Sequence, residues 1–184
     1  MNFTDEPWDY LGASEAVDFD DERIQARSSK FPDGEIPYAK AAFEFVRDEI
    51  RHSMDAGDPR RPWRASDVLE QGVGLCYAKS HLYVAFLRLA GIPSGFCYQR
   101  VGAGDEAVVH GLVAVQFEDH WVRLDPRGDR PGVRTWFATD EDIPAYRPGP
   151  GSDVLDYPEI YAEPHPAVLA ALESPENPLP SDLG

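Results

Sequence analysis

The stretch that decides the fold is residues 72–93, GVGLCYAKSHLYVAFLRLAGIP. Two glycines break the chain at its start, and the segment that follows is apolar on most sides when it is placed on a helical period. This pattern is typical of a buried helix, so we predict a central helix over residues 75–90. Gly91 and Pro93 end it, because glycine readily adopts the left-handed conformation after a helix and proline cannot continue one.

Cys76 lies at the start of this helix, directly after the glycine-rich bend. A helix N-terminus carries roughly half a positive charge on its unpaired N–H groups, and this field favours the thiolate, which is the nucleophilic form of cysteine. Glycines at 72 and 74 also let a substrate approach the backbone closely. Taken alone, a cysteine such as Cys76 is more often a small core residue than a nucleophile, and Cys97 is predicted to be a packing residue in a strand.

After residue 93 the apolar pattern changes from a helical period to alternation, which predicts strands over residues 95–101, 108–117 and 120–125. The last two strands form a hairpin with a short turn at 118–119. The apolar face of this hairpin is continuous in one register only, in which Val113 pairs with Leu124. A slip of one residue would mix the polar and apolar faces.

The same register places a carboxylate near an imidazole. Asp125 becomes diagonal to His110 on one face of the hairpin, and diagonal neighbours lie about 7–8 Å apart, within reach of their side chains. The register was deduced from packing, so its agreement with a polar pair is independent evidence for a site. A thiol at a helix start, an imidazole on a strand and a nearby acid can act as nucleophile, base and orienting group.

Four segments carry a family resemblance: ASDVLEQGVGLC at 65–76, RLAGIP at 88–93, His110, and WVRLDP at 121–126. In this order and spacing they resemble the transglutaminase-like superfamily of papain-fold proteins, and most closely its prokaryotic members, over about residues 36–130. The resemblance implies an α+β fold in which the cysteine-bearing helix packs on an antiparallel β-sheet. It also implies a catalytic triad of Cys76, His110 and Asp125 that transfers acyl groups through a thioester.

The oxyanion of such a reaction needs hydrogen-bond donors. We predict the backbone N–H of Cys76 as the first donor and the side chain of Gln71 as the second, with the Trp63 indole as the alternative. The sequence departs from the family at Leu112, where an aromatic residue is common two positions after the histidine. His81 is predicted to point away from Cys76, and the remaining histidines are predicted at the surface or in loops: His52, His120 and His165.

The predicted substrate is an amide of a peptide or protein. Water as the acceptor would make the protein a cysteine peptidase or amidase, and a small amine would make it a transglutaminase-type acyltransferase. No cofactor or metal is expected, because no helical histidine pair or CxxC motif favours zinc and the chain has no room for calcium-binding insertions. The alternative is a catalytically silent papain-fold module that binds a peptide or protein partner.

The 184 residues suit a single domain, with its core at about 36–130 and a proline-rich arm at about 143–184. Residues 1–30 are predicted to be extended. A net charge of −16 argues against nucleic acids and anionic membranes as partners, because both attract basic residues. No apolar run approaches the length of a membrane span, and the acidic N-terminus lacks a signal pattern, so a cytoplasmic location is expected.

Overall fold

The computed structural model describes residues 1–184, which form five α-helices, eight strands and two short 3₁₀ helices. The α-helices are α1 Glu22–Ser28, α2 Glu35–Glu49, α3 Ala65–Gln71, α4 Cys76–Leu89 and α5 Pro166–Glu173. The strands are β1 Asn2–Phe3, β2 Arg51–His52, β3 Val73–Gly74, β4 Ser94–Val101, β5 Val108–Phe117, β6 His120–Leu124, β7 Val154–Asp156 and β8 Glu159–Ile160. The 3₁₀ helices are Pro7–Leu11 and Gly104–Glu106. No helix is long and apolar enough to cross a membrane.

Helix α4 is the centre of the core. All residues from Cys76 to Arg88 are buried, and the helix packs against α2, α3 and β5. Each large apolar side chain that it buries contributes about 1.5–3 kcal/mol. Gly91 follows with a φ of 76°, the left-handed conformation expected beyond a helix end. The sequence prediction for this helix is confirmed to within one residue at each end.

The main sheet has four antiparallel strands in the order β6-β5-β4-β7. Val113 pairs with Leu124, as the apolar pattern predicted. One face of this sheet packs on α4, so the predicted α+β fold, a cysteine-bearing helix on an antiparallel sheet, is confirmed.

A short parallel ladder joins β2 to β3 beside the glycine-rich bend. Its register pairs His52 with Gly74, and the N–H of Ser53 donates to the Gly74 carbonyl at 3.0 Å. Gly74 is confined, because a Cβ there would lie 3.1 Å from the Ala78 side chain. The ladder therefore places β2, which precedes α3 in the chain, beside Gly74, two residues before Cys76.

The N-terminal segment differs from its prediction. Residues 1–30 were expected to be extended, but they include α1 and the 3₁₀ helix Pro7–Leu11. Helix α1 is fixed by its ends, since the Asp21 side chain accepts the Arg23 N–H at 2.8 Å. Only Ile24 is buried, so seven residues carry too little apolar periodicity to indicate the helix.

The arm over residues 143–184 is more ordered than its proline content indicates. The arm includes α5, which begins with Pro166 at its first position. The arm also supplies β7, which pairs with β4 as an edge strand that the sequence analysis missed. Three residues are too few to show an alternating pattern.

Candidate active site

Cys76 and His110 face one cleft of about 280 Å³. The N-terminus of α4 supplies the cysteine, and β5 supplies the histidine. Segments distant in sequence complete the lining: His52, Met54, Asp55, Leu75, Tyr77, Val101, Gly102, Glu106, Val108, Val109, Arg127, Arg130, Tyr146 and Leu179. Cys76 keeps 8% of its surface exposed, so its sulfur lies at the floor of an open depression.

The Cys76 sulfur accepts a hydrogen bond from β5. The backbone N–H of Gly111 donates to Sγ at 3.5 Å, and the neighbouring His110 lines the same cleft as Cys76. Glycine is required at 111, because a Cβ there would lie 2.8 Å from the Tyr77 ring. The absence of that side chain lets the start of α4 approach β5 closely enough for the sulfur and the imidazole to meet.

The His110 imidazole is held by Asp125. His110 Nε2 lies 2.6 Å from Asp125 Oδ2, which leaves Nδ1 for the sulfur. Asp125 is fully buried and accepts two further hydrogen bonds, from the Arg127 N–H at 3.0 Å and the Ala145 N–H at 2.9 Å. The carboxylate is therefore fixed in position and can fix the orientation of the imidazole.

The charges of the three groups support one another. Burial alone would raise the pKa of Cys76, but the neighbouring His110, and to a smaller extent His52, lower it to about 6. Burial opposes the charged imidazole, yet Asp125 and the Cys76 thiolate raise the pKa of His110 well above its ordinary value. Burial likewise opposes the charged carboxylate, but His110 keeps the pKa of Asp125 below its ordinary value. The site favours a thiolate and an imidazolium near neutral pH.

A family model described as the transglutaminase-like superfamily matches residues 23–126, more than half of the chain. The chain belongs to the transglutaminase-like superfamily. A comparison with curated protein sequences finds no match.

Three solved structures resemble this transglutaminase-like protein. A candidate cysteine protease from Cytophaga hutchinsonii is 17% identical with a TM-score of 0.52, and the match covers 64% of this chain and 40% of that one. A TGase is 16% identical with a TM-score of 0.47, covering 68% and 35%. The periplasmic domain of TgpA from Pseudomonas aeruginosa is 18% identical with a TM-score of 0.41, covering 67% and 48%. The matched part of the chain thus corresponds to less than half of each structure, and at these identities the likeness concerns the fold.

The structure of this transglutaminase-like protein brings three of the predicted site residues together: Cys76, His110 and Asp125. It does not bring the second oxyanion donor to the site. Gln71 is exposed at the end of α3 and does not line the cleft, because the left-handed Gly72 turns the chain after it. Trp63 lies on another side of α4, where its carbonyl is 2.7 Å from His81 Nδ1.

The prediction for His52 was wrong. It was expected at the surface or in a loop, but it lies in β2, its side chain is 8% exposed, and it lines the cleft with Cys76. The only signal in the sequence was a short polar pair, Arg51-His52, after a helix. A two-residue parallel strand has no periodicity, so pattern analysis could not detect it.

Two further cleft contacts come from segments that sequence analysis did not connect to the site. The Tyr146 ring meets the His110 ring edge-on, with centroids 4.9 Å apart. Arg127 is almost fully buried and is bound to Asp55 by two contacts of 2.9 and 3.0 Å. Asp55 thereby neutralises a cation close to the cleft.

Lys79 lies one helical turn after Cys76 and has a structural role. Its Nζ donates to the carbonyl oxygens of Ile50, at 2.6 Å, and Arg47, at 3.2 Å, at the end of α2. Burial lowers the pKa of Lys79 to about 7. This side chain ties the end of α2, and hence the start of β2, to the nucleophile-bearing helix.

Proposed function

We propose that this protein transfers acyl groups from amides of peptides or proteins through a thioester on Cys76. The acceptor is water, which gives peptidase or amidase activity, or a small amine, which gives transglutaminase-type exchange. The observation that carries the proposal is that Cys76 and His110 line one open cleft while the His110 ring is bound to the buried Asp125. This arrangement has the nucleophile, base and orienting group of a thiol acyltransferase.

In the proposed reaction the Cys76 thiolate attacks the amide carbon, and the carbonyl π electrons move to oxygen. The backbone N–H of Cys76, at the start of α4, donates to this oxyanion. The carbonyl then reforms, the C–N bond breaks, and the His110 imidazolium gives its Nδ1 proton to the leaving nitrogen. The products of this half-reaction are a free amine and a thioester.

Neutral His110 acts as the base in the second half-reaction. It takes a proton from water or from an amine as that nucleophile attacks the thioester carbon. Collapse of the second tetrahedral intermediate expels the Cys76 thiolate and restores the ion pair. Asp125 stays ionised throughout and stabilises the imidazolium, because its pKa is held below its ordinary value by His110 and by two backbone N–H donors.

A peptide substrate is supported by what lies beside the cleft. The backbone N–H of Val109, next to His110, donates to the carbonyl of Pro180 at 2.7 Å, and Leu179 lines the cleft. An extended segment of the chain itself therefore already hydrogen-bonds this strand. Such main-chain contacts are the means by which peptides bind along strands.

We also propose that the protein works in the reducing environment of the cytoplasm and that its substrate is not a nucleic acid. Cys76 and Cys97 are both free, and Cys97 is fully buried. The net charge of −16 would repel polyanions.

The experiment that tests this function follows the acyl-enzyme by intact mass. Wild-type protein is expected to gain one acyl group when it is incubated with p-nitrophenyl acetate. In a second incubation, with a library of peptide amides, it is expected to release amine. Cys76→Ala abolishes both signals, while Cys97→Ala, a matched change at a buried thiol outside the cleft, retains them. An alkylated Cys76 that never turns over any acyl donor would instead identify a silent peptide-binding module.

A further inference from the structure

His52 is placed beside the nucleophile by the β2–β3 ladder. Its partner in that ladder, Gly74, is two residues before Cys76. The His52 side chain is 8% exposed and lines the same cleft as Cys76 and His110. The cleft therefore receives an imidazole from β2 in addition to the one from β5.

The orientation of His52 determines which atom meets the sulfur. Its Nδ1 has no hydrogen-bond partner, and the nearest acid, Asp55 Oδ2, lies 3.8 Å from it. Since Nδ1 lies on the Asp55 side of the ring, Nε2 is the nitrogen left for the cleft that His52 shares with Cys76. A thiolate has only lone pairs to offer, so the nitrogen facing it must donate an N–H.

The acid nearest to His52 is itself fixed in place. Asp55 is bound by the Arg127 side chain through contacts of 2.9 and 3.0 Å, and the backbone N–H of Arg127 donates to Asp125. Arg127 thus connects the His52 side of the cleft with the carboxylate that holds His110. Rigid surroundings of this kind let a donor act with little reorganisation during a reaction.

We propose that His52 is a catalytic residue whose Nε2–H is the second oxyanion donor, together with the backbone N–H of Cys76. The proposal rests on the acyl-transfer function above. In the resting site the N–H faces the thiolate. During attack the negative charge passes from sulfur to the carbonyl oxygen bound next to it, and the donor is then available to that oxygen. His52 takes no proton in this step; the leaving group is protonated by His110.

Two reagents separate this role from a general effect on the thiol. Acylation by p-nitrophenyl acetate passes through a tetrahedral oxyanion, whereas alkylation by iodoacetamide displaces iodide without one. The quantity to measure is the ratio of the two second-order rate constants at a pH well above the titration midpoint of Cys76 for each protein. Variants are His52→Leu and His52→Ala, which remove the donor, and His52→Gln, which keeps an N–H.

The matched control is His81→Gln, at a fully buried imidazole on α4 that does not line the cleft. Thermal unfolding of every variant establishes that it is folded. Two apolar variants are used so that the test remains possible if one of them does not fold. The expected result is that His52→Leu or His52→Ala lowers the acylation-to-alkylation ratio by about 10²–10³-fold, the usual cost of losing one oxyanion donor. His52→Gln is expected to exceed the apolar variants by roughly tenfold or more, and His81→Gln to keep the wild-type ratio.

The outcomes distinguish this proposal from the function on which it rests. If the wild type is alkylated at Cys76 but never acylated, the acyl-transfer function itself is wrong. If the wild type is acylated and the apolar His52 variants keep its ratio, the function stands and the oxyanion role is overturned. Equal losses in acylation and alkylation would overturn it too, because they would mean that His52 acts only on the thiolate.

Discussion

Removing the His110 ring tests the ion pair on which the site depends. In His110→Ala the thiol remains buried but loses its principal cation, so its pKa is expected to rise from about 6 to its ordinary value of 9.0 or above. At pH 7 the ionised fraction of the thiol would then fall from about 90% to about 1%.

The reaction rate at one pH is a poor measure of this change. A thiol of higher pKa gives an intrinsically more nucleophilic thiolate, with a Brønsted coefficient of about 0.4–0.5. For this rise in pKa, the rate constant of the thiolate increases roughly 20-fold and offsets part of the lost ionisation. The net loss of alkylation rate at pH 7 is therefore only roughly fivefold. The midpoint of the pH–rate profile is the better measure, since it reports the pKa of the Cys76 thiol directly.

The assay is iodoacetamide alkylation of Cys76 between pH 4.5 and 10, followed by intact mass. The wild-type rate should fall as the pH drops through about 6, because the thiolate is then protonated. The His110→Ala midpoint should lie about three pH units higher, and the His81→Ala midpoint, for a buried histidine outside the cleft, should match the wild type. A His110→Ala midpoint that stays near 6 would refute the pairing of His110 with Cys76.

Three further changes test the surroundings of the pair. Asp125→Asn should move the alkaline limb of kcat/KM to lower pH, because the imidazolium loses its counter-charge; an unmoved limb would contradict the orienting carboxylate. Gly111→Ala would place a methyl group 2.8 Å from the Tyr77 ring and should cost about 1–3 kcal/mol in urea unfolding, whereas Gly149→Ala, in open space, should cost little. Lys79 binds its proton more weakly when folded, with a pKa of about 7 against 10.5, so wild-type stability should rise relative to Lys79→Met between pH 7 and 10.5. A constant difference between these two proteins would mean that Lys79 stays charged in the fold.

The proline-rich arm shows why part of the site could not be predicted. Ala145 donates its N–H to Asp125, and Tyr146 covers the edge of the His110 ring. Neither residue belongs to a periodic segment. Each makes a single contact with a triad residue that is about 20 or more residues away in the sequence. The proline content of the arm does not indicate which of its residues contact the proposed triad.

The sequence by itself determined the central helix and the hairpin register, and that register brings His110 near Asp125. These follow from periodicity, because a buried helix and a half-buried hairpin each leave only one arrangement that keeps apolar faces continuous. Only the tertiary structure placed His52 in the cleft of Cys76 and left Gln71 outside it. The β2–β3 ladder and the turn at Gly72 decide those positions, and both are backbone arrangements too short for a side-chain pattern to record.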